Sequence, residues 1–289
     1  MRKLRGVLCP VATPFDYAGE LYPAKLRHNL AKLGRTRIAA YVLTSWDGEG
    51  SLLSGEEGKR VWDLAIDAAE GRPCIAAPSA ESVHEAAALA KAAKAAGCQG
   101  VRLRSPADYR GPGDEARAML FLRSVADRCE LPVACAVDAR RPLSPTSAAQ
   151  LAQHPNVAGV LYRGHDAGWM QSFVDAGGVA DLLWAGREDH WRQAWELGSR
   201  TAELALANVV PFHLLSIEEA LRTRDTAAAE ELIDRAAGAA EIPSLFGPAG
   251  LKAAMDLRGS YGGAPRLPLV AVDVDAKSEI EKRLAGLAS

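Results

Sequence analysis

The apolar residues of this chain form short continuous runs, separated by longer stretches in which apolar residues recur every three or four positions. Continuous runs of aliphatic residues are typical of parallel strands buried on both faces, and the intervening spacing predicts amphipathic helices, as at 56–69 and 83–96. Eight runs are predicted as strands: Gly6–Val11, Ile38–Thr44, Pro73–Ala77, Gly100–Leu103, Pro132–Val137, Val157–Tyr162, Leu182–Ala185 and Leu204–Ala207.

Cap residues support these boundaries. Ser54, followed by Glu56 and Glu57, predicts a helix start, as does Ser144 with proline at the next position. Gly97 is placed to end the helix of residues 83–96.

Eight strand–helix units in succession predict a closed (β/α)8 TIM barrel, with a doubly wound open sheet as the alternative. Helical patterns continue after the eighth strand, at 213–223, 226–240, 248–257 and 275–287. This is more than one barrel helix requires. We therefore predict a barrel over 1–223 and a C-terminal helical extension over 224–289 that packs on it.

Composition excludes several classes of partner. The chain has 34 Lys and Arg against 36 Asp and Glu, so it offers no basic footprint for nucleic acid or for an anionic membrane surface. No apolar stretch approaches membrane-spanning length. The five cysteines lack the spacing of a disulfide framework or a zinc module, which favours buried thiols in a reducing compartment and a cytoplasmic protein.

Motifs along the whole chain resemble those of the dihydrodipicolinate synthase / N-acetylneuraminate lyase family. They occur in the family's order: Val11-Ala12-Thr13-Pro14-Phe15, Gly48-Glu49 with Leu53-Ser54 and Glu57, Leu131-Pro132, His154 to Gly159, Gly186, Asn208 to Pro211, and Arg266 to Leu269. The resemblance implies a TIM barrel with a C-terminal helical region, assembled as a homo-oligomer (a dimer or tetramer), that cleaves or condenses 2-oxo acids.

The resemblance also implies a set of catalytic groups. A lysine on strand six forms a Schiff base with the ketone, because a neutral amine is the nucleophile and its iminium accepts electrons. A tyrosine on strand five and a Thr-Thr pair after strand two relay protons, and that pair also holds the substrate carboxylate. An arginine after strand five recruits the substrate.

Most of these groups are replaced in this chain. Leu161 stands at the lysine position and Ala136 at the tyrosine position, while the Thr-Thr pair becomes Trp46-Asp47. No lysine occurs between Lys94 and Lys252, so no shift of register restores the amine. We therefore expect Schiff-base catalysis to be absent.

The remaining candidates are polar or glycine residues near strand ends. Arg141, Gly48 and Gly186 keep their family identities and, with Trp46, are predicted to bind a small carboxylate ligand. Asp47 and Glu203 are the candidate acid and base groups. A negative charge at Asp47 predicts weakened pyruvate binding, since like charges repel in a closed site.

A metal site is the weaker interpretation of two acidic, histidine-containing segments, His165-Asp166 and Glu188-Asp189-His190, because their spacing matches no known ligand pattern. No metal and no cofactor are expected. Three hypotheses remain: a lyase or aldolase-like enzyme that uses no covalent amine, a catalytically inactive homologue that binds a metabolite or an active partner subunit, and an ordinary family enzyme. The third conflicts with the distribution of lysines.

Overall fold

The structure is a computed structural model that describes residues 1, 4–106, 114–140 and 142–288. Eight parallel strands close into a barrel in sequence order, with the first strand paired to the last. The (β/α)8 prediction is therefore confirmed, and the open-sheet alternative is wrong. The strands are β1 (Gly6–Pro10), β2 (Ala40–Leu43), β3 (Cys74–Ala76), β4 (Gly100–Arg104), β5 (Val133–Val137), β6 (Val157–Tyr162), β7 (Leu183–Ala185) and β8 (Thr201–Glu203).

The strand prediction at Leu204–Ala207 is wrong. The eighth strand is Thr201–Glu203, and a short 3-10 helix follows at Ala205–Asn208. The side-chain amide of Asn208 donates to the carbonyls of Pro10 and Ala205, while its oxygen accepts from the N–H of Ala12. These bonds fold the apolar segment back as a turn against the end of β1.

Helices surround the barrel and continue beyond it. In the described residues they are α1 (Pro23–Gly34), α2 (Gly55–Ala68), α3 (Val83–Ala96), α4 (Asp114–Arg128), α5 (Pro145–Ala152), α6 (Gly168–Asp175), α7 (Trp191–Leu197), α8 (Pro211–Thr223), α9 (Thr226–Ala240), α10 (Ile242–Leu257) and α11 (Val274–Leu284). The last three form the C-terminal helical extension. Its boundary at residue 223 stays a prediction.

The predicted caps are confirmed. The Ser54 side chain accepts from the N–H of Glu57, whose carboxylate accepts from the N–H of Ser54, so both groups of a capping box are present. Ser144 caps α5 ahead of Pro145, and Gly97 ends α3 with a φ of 102°. These caps fix where each helix begins or ends relative to the strand ends that carry the site.

Two apolar layers make up the core. The larger lies between the barrel and its helices, and the smaller lies inside the barrel. Successive residues of a strand face opposite sides. Accordingly, Cys135 belongs to the outer layer while Ala134 and Ala136 belong to the inner one. Cys135 therefore faces the helices.

No helix among the described residues combines the length and apolar character needed to cross a bilayer.

Candidate active site at the carboxyl end of the barrel

Leu161, at the position that the family resemblance assigns to a reactive lysine, has a hydrocarbon side chain. Leu161 on β6 lies opposite Ala136 on β5, and both belong to the apolar cluster inside the barrel. Leu161 is fully buried, beside Trp184 on β7. A Cβ on Gly159 would overlap the Trp184 indole, so glycine at this position makes room for the ring. The floor of the barrel mouth is therefore apolar and closely packed.

Asp47 forms a two-pronged ion pair with Arg163. Arg163 Nη1 lies 2.6 Å from Oδ2 of Asp47, and Nη2 lies 2.9 Å from Oδ1. Burial alone raises the pKa of Asp47, but the Arg163 charge and its hydrogen bonds outweigh this, so the pKa is lowered. Asp47 is thus a charged carboxylate whose oxygens are already engaged.

The Arg163 side chain leaves no room for a Cβ at Gly186. A Cβ there would overlap the Arg163 side chain and would lie 3.0 Å from a methyl carbon of Leu161. The missing side chain lets Arg163 cross over Leu161 toward Asp47. Gly48 is constrained in a similar way, since a Cβ would lie 2.5 Å from the carbonyl oxygen of Val11.

A second ion pair lies deeper, between Arg102 on β4 and Glu203 on β8. Arg102 Nε is 3.4 Å from Glu203 Oε1, and the two side chains are 2% and 0% exposed. In the described part of the chain, Nε and Nη2 of Arg102 and both oxygens of Glu203 have no hydrogen-bond partner. Burial raises the pKa of Glu203, while the charges of Arg102 and Arg163 oppose the rise. This carboxyl therefore favours the protonated form more than an exposed glutamate does.

Two cavities of about 270 Å³ and 280 Å³ open at the carboxyl ends of the strands and share part of their lining. The shared side chains are Trp46, Arg102, Arg104 and Arg140. Arg104 also pairs with Asp138 at 3.2 Å, and the Arg140 guanidinium lies 5.4 Å from the Trp46 ring centre. Converging guanidinium groups in the lining of both cavities favour an anionic ligand.

The structure places the predicted site residues unevenly. Trp46 lines both cavities, and Asp47 and Glu203 lie beside or below them in ion pairs. Arg141 lies outside the described residues. Arg102 and Arg104 were not predicted as site residues from the sequence, although two arginines at alternate positions of a buried strand are an unusual signal.

The two acidic, histidine-containing segments lie close to each other, because the charge of Asp166 acts on His190. Among the described residues, no group of three or more His, Cys, Asp or Glu side chains is arranged to hold a metal ion. Burial raises the pKa of Glu188 to about 7 and lowers that of His190. One oxygen of Glu188 and Nδ1 of His190 lack partners in the part of the chain that the structure describes.

Lys252 on α10 is a buried lysine, but its contacts connect parts of the fold outside the two cavities. Its Nζ lies 2.5 Å from Glu49 Oε1, 3.0 Å from the Ala264 carbonyl and 4.4 Å from the Phe15 ring centre. Burial lowers its pKa, and the Glu49 charge opposes this. The described linings of the two cavities do not include it.

Several motif residues belong to the network of contacts that includes Lys252 and Glu49. The N–H of Arg266 donates to Glu49, and the Arg266 guanidinium pairs with the Glu57 carboxylate at 2.6 Å. This pairing lowers the pKa of Glu57 to about 2. The near-terminal motif therefore fastens the C-terminal region to the loop after β2.

Comparison with known proteins agrees with the fold and the motifs. The model of the dihydrodipicolinate synthetase family matches residues 3–286. An uncharacterized DapA-like lyase of Halobacterium salinarum is 30% identical over 98% of this chain and 94% of its own length. A 4-hydroxy-tetrahydrodipicolinate synthase of Exiguobacterium sibiricum is 27% identical over 92% of each chain.

The solved structures give the same result. A dihydrodipicolinate synthase of Bacillus anthracis superposes with a TM-score of 0.92 over the full length of both chains, at 20% identity. A pyruvate complex of the Acinetobacter baumannii enzyme has a TM-score of 0.89 at 25% identity and covers 98% of each chain. This chain belongs to the dihydrodipicolinate synthetase family.

Proposed function

We propose that this lyase-like barrel binds a small 2-oxo or hydroxy carboxylate at the carboxyl end of its strands without forming a Schiff base. The observation that carries the proposal is that Leu161 and Ala136, which we align with the family's lysine and tyrosine, lie in a buried apolar cluster inside the barrel. An alkyl group cannot attack a ketone, and a methyl group cannot relay a proton. Binding must then rest on charge and hydrogen bonds.

The cationic groups that line the cavities support a carboxylate ligand. Arg102, Arg104 and Arg140 line both cavities, and Trp46 adds an apolar wall. The other substrate-binding residues of the proposal are Gly48 and Gly186, through their backbones, and Arg141. Pyruvate itself should bind weakly, because the Asp47 carboxylate stands where relatives hold the substrate's carboxylate.

Reduction with borohydride in the presence of pyruvate tests the absence of a Schiff base. We expect no covalent adduct by mass spectrometry, whereas a dihydrodipicolinate synthase with its lysine, treated in parallel, should gain one. Calorimetry against a panel of 2-oxo and 2-hydroxy acids tests the binding. An adduct on this chain, tight pyruvate binding, or a panel that gives no binding would contradict the proposal.

Lyase-type turnover of the bound acid is the first form of this function. It is favoured by Glu203, a fully buried carboxyl beneath the cavities whose pKa is raised by burial, as is common for acid and base groups of active sites. Turnover assays with the acids that bind, compared between the wild type and Glu203→Gln, test this role. We expect turnover in the wild type and its loss in the variant.

A non-catalytic homologue that binds a metabolite or an active partner subunit is the second form. It is favoured by the engagement of Asp47, whose two oxygens are held by Arg163 and are unavailable as a base. Binding without turnover would support it.

Under either form we propose a cytoplasmic homo-oligomer, a dimer or tetramer. Light scattering of the purified chain tests the oligomeric state. The five cysteines, all buried free thiols, fit a reducing compartment.

A further inference from the structure

The Arg102–Glu203 pair is incomplete as an ion pair. Buried charges are normally stabilised by close, hydrogen-bonded partners. Here the closest charged atoms are 3.4 Å apart without a hydrogen bond. In the described residues, four nitrogen and oxygen atoms of this pair have no partner. The guanidinium is thus buried and aimed at a cavity without an acceptor of suitable geometry.

The surroundings of Glu203 are otherwise sparse in charge. Within the described chain, the groups that act on it are Arg102 from β4, Arg163 after β6 and Asp47 after β2. The Cys9 thiol on β1 is also coupled to it, and its own pKa is raised chiefly by burial. Since Asp47 already holds Arg163 in two hydrogen bonds, Arg102 is the main group that opposes the rise in the pKa of Glu203.

Arg102 is within reach of a ligand and Glu203 is not. Arg102 lines both cavities, whereas the Glu203 side chain is fully buried. An anion in either cavity would offer Arg102 the acceptor oxygens that Glu203 does not. It would also weaken the attraction by which Arg102 opposes protonation of Glu203.

We propose that an acidic group of the ligand replaces Glu203 as the partner of Arg102, and that Glu203 takes up a proton from solvent as the ligand binds. This inference rests on the proposed function and deepens it, since it names the anchor and couples the site to pH. The balance is one anion bound and one proton bound, so a monoanion leaves the charge of the site unchanged. No covalent bond forms or breaks apart from the O–H bond on Glu203.

The sign of the pH dependence follows from linkage. The bound anion raises the pKa of Glu203 further, so the complex holds more protons than the free protein. Affinity therefore increases as pH falls between the two pKa values, by at most about tenfold per pH unit for one proton. Below the pKa of the free protein, the dependence disappears.

Titration calorimetry tests the proposal, with lactate and sulfate as probes because neither changes charge between pH 5.5 and 8, so that only the protein titrates. Measurements in buffers of different ionisation enthalpy give the number of protons taken up. We expect an uptake that approaches one proton per anion in the wild type. An uptake of zero throughout this range would overturn the proposal without any variant.

Three variants sharpen the test. Glu203→Gln should bind both probes without proton uptake and with a flat pH profile. Arg102→Gln should lose about 10- to 100-fold in affinity, as expected for a lost charge-assisted contact. Arg192→Gln, at an exposed and ion-paired arginine, is the matched control and should bind as the wild type does.

The outcomes separate the two proposals. Lactate binding that survives Arg102→Gln unchanged would overturn this inference and leave the proposed function standing. Failure of every carboxylate to bind the wild type would remove the proposed function, and proton-linked sulfate binding at Arg102 would still support the anchor.

Discussion

Removing either partner of the Asp47–Arg163 pair should destabilise the protein by different amounts. Asp47 is 1% exposed, whereas Arg163 is 18% exposed and lines a cavity. Arg163→Gln leaves a buried carboxylate without its cation, which costs about 3–5 kcal/mol. Asp47→Asn leaves a guanidinium that solvent can reach, and the amide oxygen still accepts one hydrogen bond, so we expect a loss of about 1–2 kcal/mol.

Urea unfolding followed by tryptophan fluorescence measures both losses at pH 7. In the wild type, the lowered pKa of Asp47 stabilises the fold above the ordinary carboxyl pKa, and this contribution is lost as pH falls through the folded value. In Arg163→Gln, burial should raise the pKa of Asp47, so the deficit relative to the wild type should shrink as pH falls toward 5. A loss below about 1 kcal/mol for Arg163→Gln, or a larger loss for Asp47→Asn, would refute the reasoning.

Three further expectations come from the core. Gly159→Ala should destabilise the fold by about 1–3 kcal/mol, because the new Cβ would overlap the Trp184 indole. Gly58→Ala in α2, where a Cβ would meet open space, should be neutral or stabilising. Urea titrations that rank the two variants in the opposite order would contradict the packing. Lys252→Met should cost about 3–5 kcal/mol by stranding Glu49, and Glu49→Gln in the same chain should restore part of this loss; calorimetry should find carboxylate binding unchanged. Iodoacetamide should label none of the five buried cysteines in the native protein at pH 8 and all of them in urea, as counted by mass spectrometry.

The barrel was predictable because burial on both faces leaves a direct mark on the sequence. Runs such as Val157–Tyr162 are continuous in apolar or small residues, and that strand is found with the predicted bounds. The eighth strand does not follow this pattern of continuous apolar residues. Thr201 and Glu203 turn polar side chains into the barrel, while the apolar residues that follow are buried in a 3-10 helix. Apolar continuity therefore reports burial and does not by itself report extended backbone.

The site was only partly predictable, because its partners are distant in sequence. Asp47 could be found from the motif around it, but Arg163 lies 116 residues away, and only the closed barrel brings the two together. Arg102 was missed because the strand was judged by its apolar members. A charged side chain at an inward position of a central strand has to be compensated by something, and that need was the available signal.

The barrel mouth combines an apolar layer with a layer of charged side chains. Leu161 and Ala136 extend the apolar core toward the carboxyl ends of their strands. The polar residues Arg163 and Asp138 stand two positions farther along the same strand directions, so they face the same side one layer closer to solvent. A ligand held there contacts guanidinium groups that water can also reach. Exchange of one anion for another then requires no opening of the apolar core, which is why we expect reversible, salt-sensitive binding in place of covalent capture.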